Sequence, residues 1–335
     1  MPKGTLFVKP DPDGMREWFR HKPKGMTSKL TSASEAIKEL VRDGDYLAVG
    51  GFGTNRITTA LLHEIMRQRR RGLGMSGHTA THDFQLMAAG GCIDRVDVAY
   101  VVGLEARGLS RVARRLFEQG QLEVTEWTNA ALAWRYRAAV MGVPFLPARI
   151  MFGTDTWEHS AAKEVTCPFT GMNLAALPAL SPDVALIHVH ECDVYGNAVI
   201  SGITVSDWEL ARASKRVIIS TERLIPHEDI RKQPQRTTIP YFCVDAVVEI
   251  PYGSFPGNMA YEYFSDEEHL KAWLEAEGDP ETLEAFVDRH IYSTEDFAEY
   301  LELCGGLGRM QQLRRVELLL DREGTGTGER KGEQQ

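Results

Sequence analysis

The amino-acid sequence predicts an open, mostly parallel α/β sheet with helices on both faces, closed by a helical C-terminal segment. Three observations predict it. A strand–glycine loop–helix order recurs along the chain. Several strand-like runs are apolar without alternation, as strands buried on both faces are. From Asp266 to Leu303 the pattern is helical throughout, broken at Gly278-Asp279-Pro280.

In chain order, residues 1–30 are rich in Lys, Pro and Gly and read as an extended N-terminal arm with one helical turn around Met15–Phe19. Ser32 and Glu35 have capping-box spacing, each side chain able to satisfy an orphan N–H of a new helix. Ala36, Ile37, Leu40 and Val41 follow at helical spacing, and Asp43-Gly44-Asp45 ends that helix. Tyr46–Val49 is a short apolar strand running into Gly50-Gly51-Phe52-Gly53, and a helix follows at about Ile57–Arg70. The strands Leu73–Ser76 and Arg95–Val102 come next, then helices over Gly108–Gln119 and Thr128–Val140, the second stopped by Gly142 and Pro144. Strands are expected at Asp183–Val189, Ala198–Ser201, Arg216–Ser220 and Phe242–Glu249, with a turn at Asp193–Asn197 and a helix at Asp207–Ala213. No repeat or clean linker is present, so 31–320 reads as a single domain and 321–335 as a disordered tail.

The 335 residues suffice for a substantial core. A formal net charge of -9 disfavours a nucleic-acid binder, and the local run Arg67, Arg69, Arg70, Arg71 reads as a solvated helix end. Five scattered cysteines without Cys-x-x-Cys point to reduced thiols. Neither a signal-peptide core nor an apolar run of about 20 residues is found. A cytoplasmic protein without membrane association is the expectation.

Gly51-x-Gly53, between a strand and a helix, invites a dinucleotide reading. The fingerprint wants a third glycine three residues on, and that position is Arg56. No P-loop Gly-Lys-Ser/Thr follows. A second use of the loop fits better: glycines admit an acyl group close to the backbone, free N–H groups at the helix start stabilise anionic oxygen, and Arg56 holds a carboxylate. The alternative is a plain tight turn with Arg56 as a surface residue.

Asp43-Gly44-Asp45 with Gly50-Gly51-Phe52, Gly142-Val143-Pro144-Phe145-Leu146-Pro147, the Asp193-x-x-Gly196-Asn197 turn, and Ile239-Pro240-x-x-Cys243-Val244-Asp245-Ala246-Val247-Val248 closing on Pro251-Tyr252-Gly253 occur in this order. Together they resemble the A-type chain of glutaconate CoA-transferase and its relatives, from about Leu30 to about Gly305. The resemblance implies a CoA-transferase (NagB-like) fold and a ping-pong cycle in which a glutamate attacks the acyl-CoA thioester and carries CoA as a glutamyl thioester. In two-chain members that glutamate lies on the B-type chain in a Glu-x-Gly context. No strand-end Glu-x-Gly or Ser-Glu-Asn-Gly occurs here. The resemblance therefore implies an A-type chain that needs a B-type partner, in a heterodimer or heterotetramer. Coenzyme A is then a substrate, and no tightly bound cofactor is expected. Arg56 in the loop favours a dicarboxylic or polar acyl group such as glutaconyl.

Substrate-binding candidates are Gly50, Gly51, Phe52, Gly53, Thr54, Arg56, His78 and His82. One branch of the family opens rings in steroid-derived CoA thioesters with an acid/base glutamate on its A-type chain, and a hydrolase subunit of that kind is the alternative function. Glu105 is the in-chain catalytic candidate, with Glu123 and Glu126 nearby and Asn129 a possible occupant of that branch's position. His78, His82 and Asp83 form one polar cluster, and His188, His190 and Glu191 another. Neither has a standard metal-site spacing, so no metal is expected. A metallohydrolase or a non-catalytic binding module would be the remaining rivals. Trp127, Trp134 and Tyr136 read as core or interface residues.

Overall fold

Tyr46–Val49 (β1) is buried along its whole length, which places it inside a sheet covered on both faces. The computed structural model describes residues 3–101, 103, 104 and 107–320. After β1, the parallel strands in chain order are Leu73–Gly77 (β2), Ile93–Val98 (β3), Glu123–Glu126 (β4), Val184–Cys192 (β5), Arg216–Leu224 (β6) and Ala246–Glu249 (β7). Across the sheet they run β4-β3-β2-β1-β5-β6-β7, each neighbouring pair parallel. The chain thus winds one way from β1 through β4 and the other way from β5 through β7. The reversal between β1 and β5 is a topological switch point, and open α/β sheets bind ligands outside the carboxyl ends of strands there.

β5 overhangs its neighbour. Val49 at the end of β1 faces Leu186, and β5 continues to Cys192. The space beyond β1 is filled by Ala198–Val199, which pairs antiparallel with β5 and then with Thr237–Ile239. The Asp193 carboxylate makes the intervening turn by accepting the N–H groups of Tyr195 and Asn197 and the Asn197 amide. Gly196, at φ +100°, is required because a Cβ there would lie 2.7 Å from Val244 Cβ. Asp245 in turn accepts the Val217 N–H and the Lys22 ammonium. The Asp193–Asn197 and Cys243–Asp245 motifs are therefore one packed unit.

The sheet divides two cores. Leu47 and Val49 face Ile37, Leu61, Ile65 and Phe84 from the helices Ala33–Leu40, Thr59–Arg67 and His82–Ala89. Tyr46 and Ala48 face Leu132, Tyr136 and Leu210 from Asn129–Met141 and Asp207–Ala213. At the start of Ala33–Leu40, Ser32 Oγ accepts the Glu35 N–H as its spacing predicts, while Glu35 bonds the Thr31 hydroxyl instead of completing the box. A third cluster joins Phe255, Tyr263, Phe297, Tyr300 and Met310 in the C-terminal helical segment.

Several boundaries differ from the sequence expectation. The strand expected at Arg95–Val102 is Ile93–Val98. The helix expected at Gly108–Gln119 begins at Arg111, capped by Ser110, because Gly103 and Gly108 take positive φ in a short antiparallel pairing. The last parallel strand starts at Ala246, since Tyr241–Cys243 form a 3₁₀ turn after Pro240. A three-stranded antiparallel sheet of Phe145–Ala148, Asn173–Pro178 and Lys163–Thr166 has no counterpart in the sequence expectation. The N-terminal arm carries a full helix, Pro12–His21, in place of the single turn expected. That helix is docked: Trp18 Nε1 donates to the Lys215 carbonyl, and Lys22 Nζ reaches Asp245 at 2.6 Å. The tail 321–335 lies outside the described residues.

Candidate functional site

The loop after β1 lies at the switch point, and protein atoms hold nearly all of it. Gly50 N–H donates to Leu186 of β5, Gly51 N–H to Asp207, Phe52 N–H to Asn55 and Gly53 N–H to Thr79. These loop amides are therefore not free for an anionic oxygen, and at the helix start the Ala60 N–H is taken by the Gly253 carbonyl. Close approach does require its glycines. A Cβ on Gly50 would fall 2.3 Å from Asp207 Oδ1, and one on Gly51, at φ +85°, 2.6 Å from the Asn55 carbonyl. Gly53, at φ +62°, has open space where its Cβ would be. Phe52 is the exposed member, at 39%.

Arg56 departs furthest from expectation. It is fully buried, at 0% exposure, and ion-paired with Asp207 at 2.7 Å. The same guanidinium donates to the Ile203 carbonyl at 2.6 Å and weakly to the His188 carbonyl. Its backbone sits at φ 61°, an uncommon conformation for a residue with a Cβ. Arg56 therefore faces the interior, tying the glycine loop to β5, and offers no fork to a substrate carboxylate. Its partner Asp207, first residue of Asp207–Ala213, was missed as a site residue. One of its oxygens takes the Gly51 N–H and the other the Arg56 charge. Only the folded chain brings these positions together.

The turn after β2 interlocks with the loop. Thr81 Oγ1 donates to the Gly53 carbonyl at 2.8 Å, and Asn129, just after β4, donates to Thr79 Oγ1. His78 is buried beside Ser206, with Nε2 2.8 Å from the hydroxyl, and burial lowers its pKa. His82 opens the helix His82–Ala89, edge-on to Trp273, and burial lowers its pKa to about 3. Burial pushes the Asp83 carboxyl up to about 7, although it accepts the Thr81 N–H at 2.6 Å. His78 and His82 are thus neutral at neutral pH. Thr54 is buried, with Asn258 and Arg107 against its hydroxyl.

Glu105 lies outside the described residues. Glu123 is exposed, Glu126 half-buried and Asn129 exposed. Trp127 and Tyr136 are core residues as expected: Trp127 Nε1 and Arg135 both donate to Asp97, and Tyr136 donates to Ser76. Trp134 is exposed. The second histidine cluster is fully engaged with protein. His188 bonds Ser220 and Glu222 through its two nitrogens, and His190 bonds the Ala260 carbonyl and the Ser201 N–H. Gly253 permits the first network, because a Cβ there would meet His188 Cε1 at 2.7 Å.

Among the described residues, the cavity enclosed at this edge by Thr54, Thr81, His82, Gln85 and Arg107 is only about 20 Å³. That is room for about one water, against the roughly 300–1,000 Å³ of a ligand pocket. Wider hollows lie away from the loop, one of about 810 Å³ lined by Arg69, Arg115 and Tyr292.

Comparisons with known proteins agree with this architecture. Residues 30–250 match the family described as Coenzyme A transferase. The A-type chain of glutaconate CoA-transferase from Acidaminococcus fermentans is 32% identical, covering 83% of this chain and 92% of that one. The A-type chain of 3-oxoadipate CoA-transferase from Pseudomonas knackmussii is 33% identical, covering 82% and 97%. The solved structure of the Acidaminococcus fermentans enzyme superposes with a TM-score of 0.81 over 86% of this chain and 96% of that chain, at 30% identity. A weaker likeness, 28% identity over 81% of this chain and 95% of the relative, is to the IpdA chain of a cholesterol ring-cleaving hydrolase of Mycobacterium tuberculosis.

Proposed function

The chain belongs to the coenzyme A transferase family, and from that premise we propose that it is the A-type half of a two-chain acyl-CoA:carboxylate CoA-transferase. It lacks a strand-end Glu-x-Gly, so the nucleophilic glutamate is assigned to a B-type partner. There the carboxylate attacks the acyl-CoA carbonyl and expels the CoA thiolate, leaving an acyl–glutamyl anhydride. The thiolate then attacks the glutamyl carbonyl, giving a glutamyl–CoA thioester and the free acid. An incoming acid reverses these steps and leaves as its CoA thioester. Coenzyme A is a substrate in this cycle.

The observation that carries the two-chain reading is the lack of a strand-end Glu-x-Gly in a chain whose relatives are A-type subunits. In this reading the glycine loop, the His78–Thr81 turn and exposed Phe52 form one wall of the site, and the B-type chain supplies the other. This chain's part is to hold that wall rigid and dry. Buried neutral His78 and His82 add no charge to it, and Asp207 and Arg56 cancel each other behind it.

With Arg56 internal, a dicarboxylic substrate rests on the relatives alone: glutaconate and 3-oxoadipate are both dicarboxylates. The transferase reading is preferred to the ring-opening hydrolase because the transferase chains are 32–33% identical and the hydrolase chain 28%. A cytoplasmic setting is part of the same reading. No helix among the described residues is long and apolar enough to cross a membrane.

The test is reconstitution. The chain alone, a B-type partner alone and the pair are assayed for CoA transfer from acyl-CoA donors to short dicarboxylic acids. Transfer by the pair only is expected, with a CoA adduct on a partner glutamate trapped when the acceptor is withheld. Robust transfer by this chain alone would overturn the reading. CoA release by the pair that needs no acceptor acid would favour the hydrolase instead.

A further inference from the structure

We propose that His269, His290 and Cys304 form a zinc-binding site that clasps the C-terminal helical segment, independent of the acyl-CoA site. One side-chain donor atom from each lies within 4.8 Å of the others. The three come from separate elements: His269 from the helix Glu267–Ala276, His290 from the π-turn Asp288–Tyr292, and Cys304 from the end of Phe297–Leu303. All three are half-buried, open enough for an ion to enter and sheltered enough to hold it. They lie beyond residues 30–250, where the family match ends.

The hydrogen bonds around the cluster make the case. A ligating histidine needs its far nitrogen anchored to a protein oxygen, which sets the tautomer and aims the near nitrogen at the metal. His290 Nδ1 lies 2.8 Å from the Phe286 carbonyl, so it carries the hydrogen and the lone pair is left on Nε2. His269 Nε2 lies 3.1 Å from Tyr300 Oη, and its Nδ1 lies 3.8 Å from Cys304 Sγ. With Nδ1 on the metal, Nε2–H donates to Tyr300 Oη. Both rings thus have an outer partner already in place. Phe286 stacks on His290 at 4.0 Å between centroids and fixes the plane of that ring. π-Turns inside helical segments frequently mark functional sites, and this one presents His290.

Two imidazoles and one thiolate suit Zn²⁺, with a water in the fourth position. Binding takes Cys304 as the thiolate and releases one proton to solvent, with no redox step. The three positions, 269, 290 and 304, are far more widely spaced than the ligands of a zinc finger, which is why they form no recognisable motif.

The full chain, stripped with chelator, is titrated with Zn²⁺ alone and with Co²⁺ as the spectroscopic probe. One equivalent of Zn²⁺ is expected to bind, raise the melting temperature and be reversed by chelator. Co²⁺ is expected to give a thiolate-to-metal charge-transfer band. Cys304→Ser should abolish that band, and Cys304→Ser and His290→Gln should each weaken zinc binding at least tenfold while circular dichroism stays native. If either variant fails to fold, cysteine alkylation of the wild-type chain decides: Zn²⁺ should protect Cys304 and leave the equally half-buried Cys167 reactive. No stoichiometric binding, undiminished binding in the folded variants, or no protection of Cys304 would overturn the proposal. Because every readout concerns metal on this chain alone, failure here leaves the transferase reading untouched, and the converse holds.

Discussion

Arg56 follows a glycine loop at the start of a helix, where an anion site is a natural expectation. In the folded chain its charge meets Asp207 with both side chains at 0% exposure. Removing one partner of such a pair leaves an uncompensated buried charge, at a cost of about 3–5 kcal/mol. Arg56→Ala should therefore lower the urea midpoint strongly, and Arg56→Lys should restore only part, because one ammonium can replace Nη2 at Asp207 and the Ile203 carbonyl but lacks the second prong, Nη1, that reaches the His188 carbonyl. Residual activity should fall equally on matched mono- and dicarboxylic substrates. A loss confined to the dicarboxylate would return Arg56 to substrate binding. The glycines separate in the same way. Gly51→Val combines positive φ with a Cβ 2.6 Å from a carbonyl, whereas Gly53→Val meets strain in φ but no neighbour within 4 Å. Thermal melts should show Gly51→Val as clearly the worse of the two, and equal melting temperatures would mean that the loop repacks freely.

The helix His82–Ala89 starts with two buried ionisable groups whose shifts have opposite consequences. Burial raises Asp83 from 3.8 to about 7, so between those values the folded chain binds a proton that the unfolded chain has lost. Its contribution is then lost progressively as pH rises from about 4 to about 7 and stays lost above that. At about 1.4 kcal/mol per unit the ceiling is roughly 4 kcal/mol. Burial lowers His82 from 6.5 to about 3, so there the unfolded chain binds the extra proton, and stability falls as pH drops from about 6.5 towards 3. Asp83→Asn keeps an acceptor for the Thr81 N–H while removing the charge. Its urea midpoint should exceed that of the wild type at pH 8 and converge on it near pH 4. A constant offset between the two curves would show that Asp83 does not titrate in this window.

Over the whole molecule, the N-terminal arm is part of the packed chain. Lys22 is 3% exposed at its side chain and reaches Asp245, which also accepts the Val217 N–H at the start of β6. Lys22→Ala should cost roughly 3 kcal/mol, less if water fills in beside the part-exposed Asp245. It should also deprotect the amides of Pro12–His21 in hydrogen exchange. Unchanged protection would mean that Trp18 and the apolar contacts of Phe7 and Val8 hold the arm by themselves. The arm braces the starts of β6 and β7 through Trp18 and Lys22, and the Thr5 carbonyl accepts the Thr125 hydroxyl of β4 at the opposite edge of the sheet, so its loss should affect stability before it affects any assembled site.

Much of the sheet was legible because short-range chemistry decides it. A non-alternating apolar run such as Tyr46–Val49 has no polar face to leave in water, and Ser32, Thr128 and Asp266 announce helix starts through their own side chains. The order of motifs was legible too, since Gly196 against Val244 and Gly253 against His188 are contacts that only glycine permits. The partners of the ionisable groups were hidden. Arg56 and Asp207 are separated by 151 positions, Lys22 and Asp245 by 223, and nothing local in either segment says which cation meets which carboxylate. The acceptors of the loop amides were hidden for the same reason, since Leu186, Asp207 and Thr79 lie on other segments. By itself, then, the sequence determined most of the parallel strands, the α/β class and the lack of a strand-end Glu-x-Gly, because those depend on residue type and spacing along the chain. The tertiary structure alone decided which charges are buried against each other and which loop amides are taken, because these depend on distances between segments that neighbour each other only in the fold.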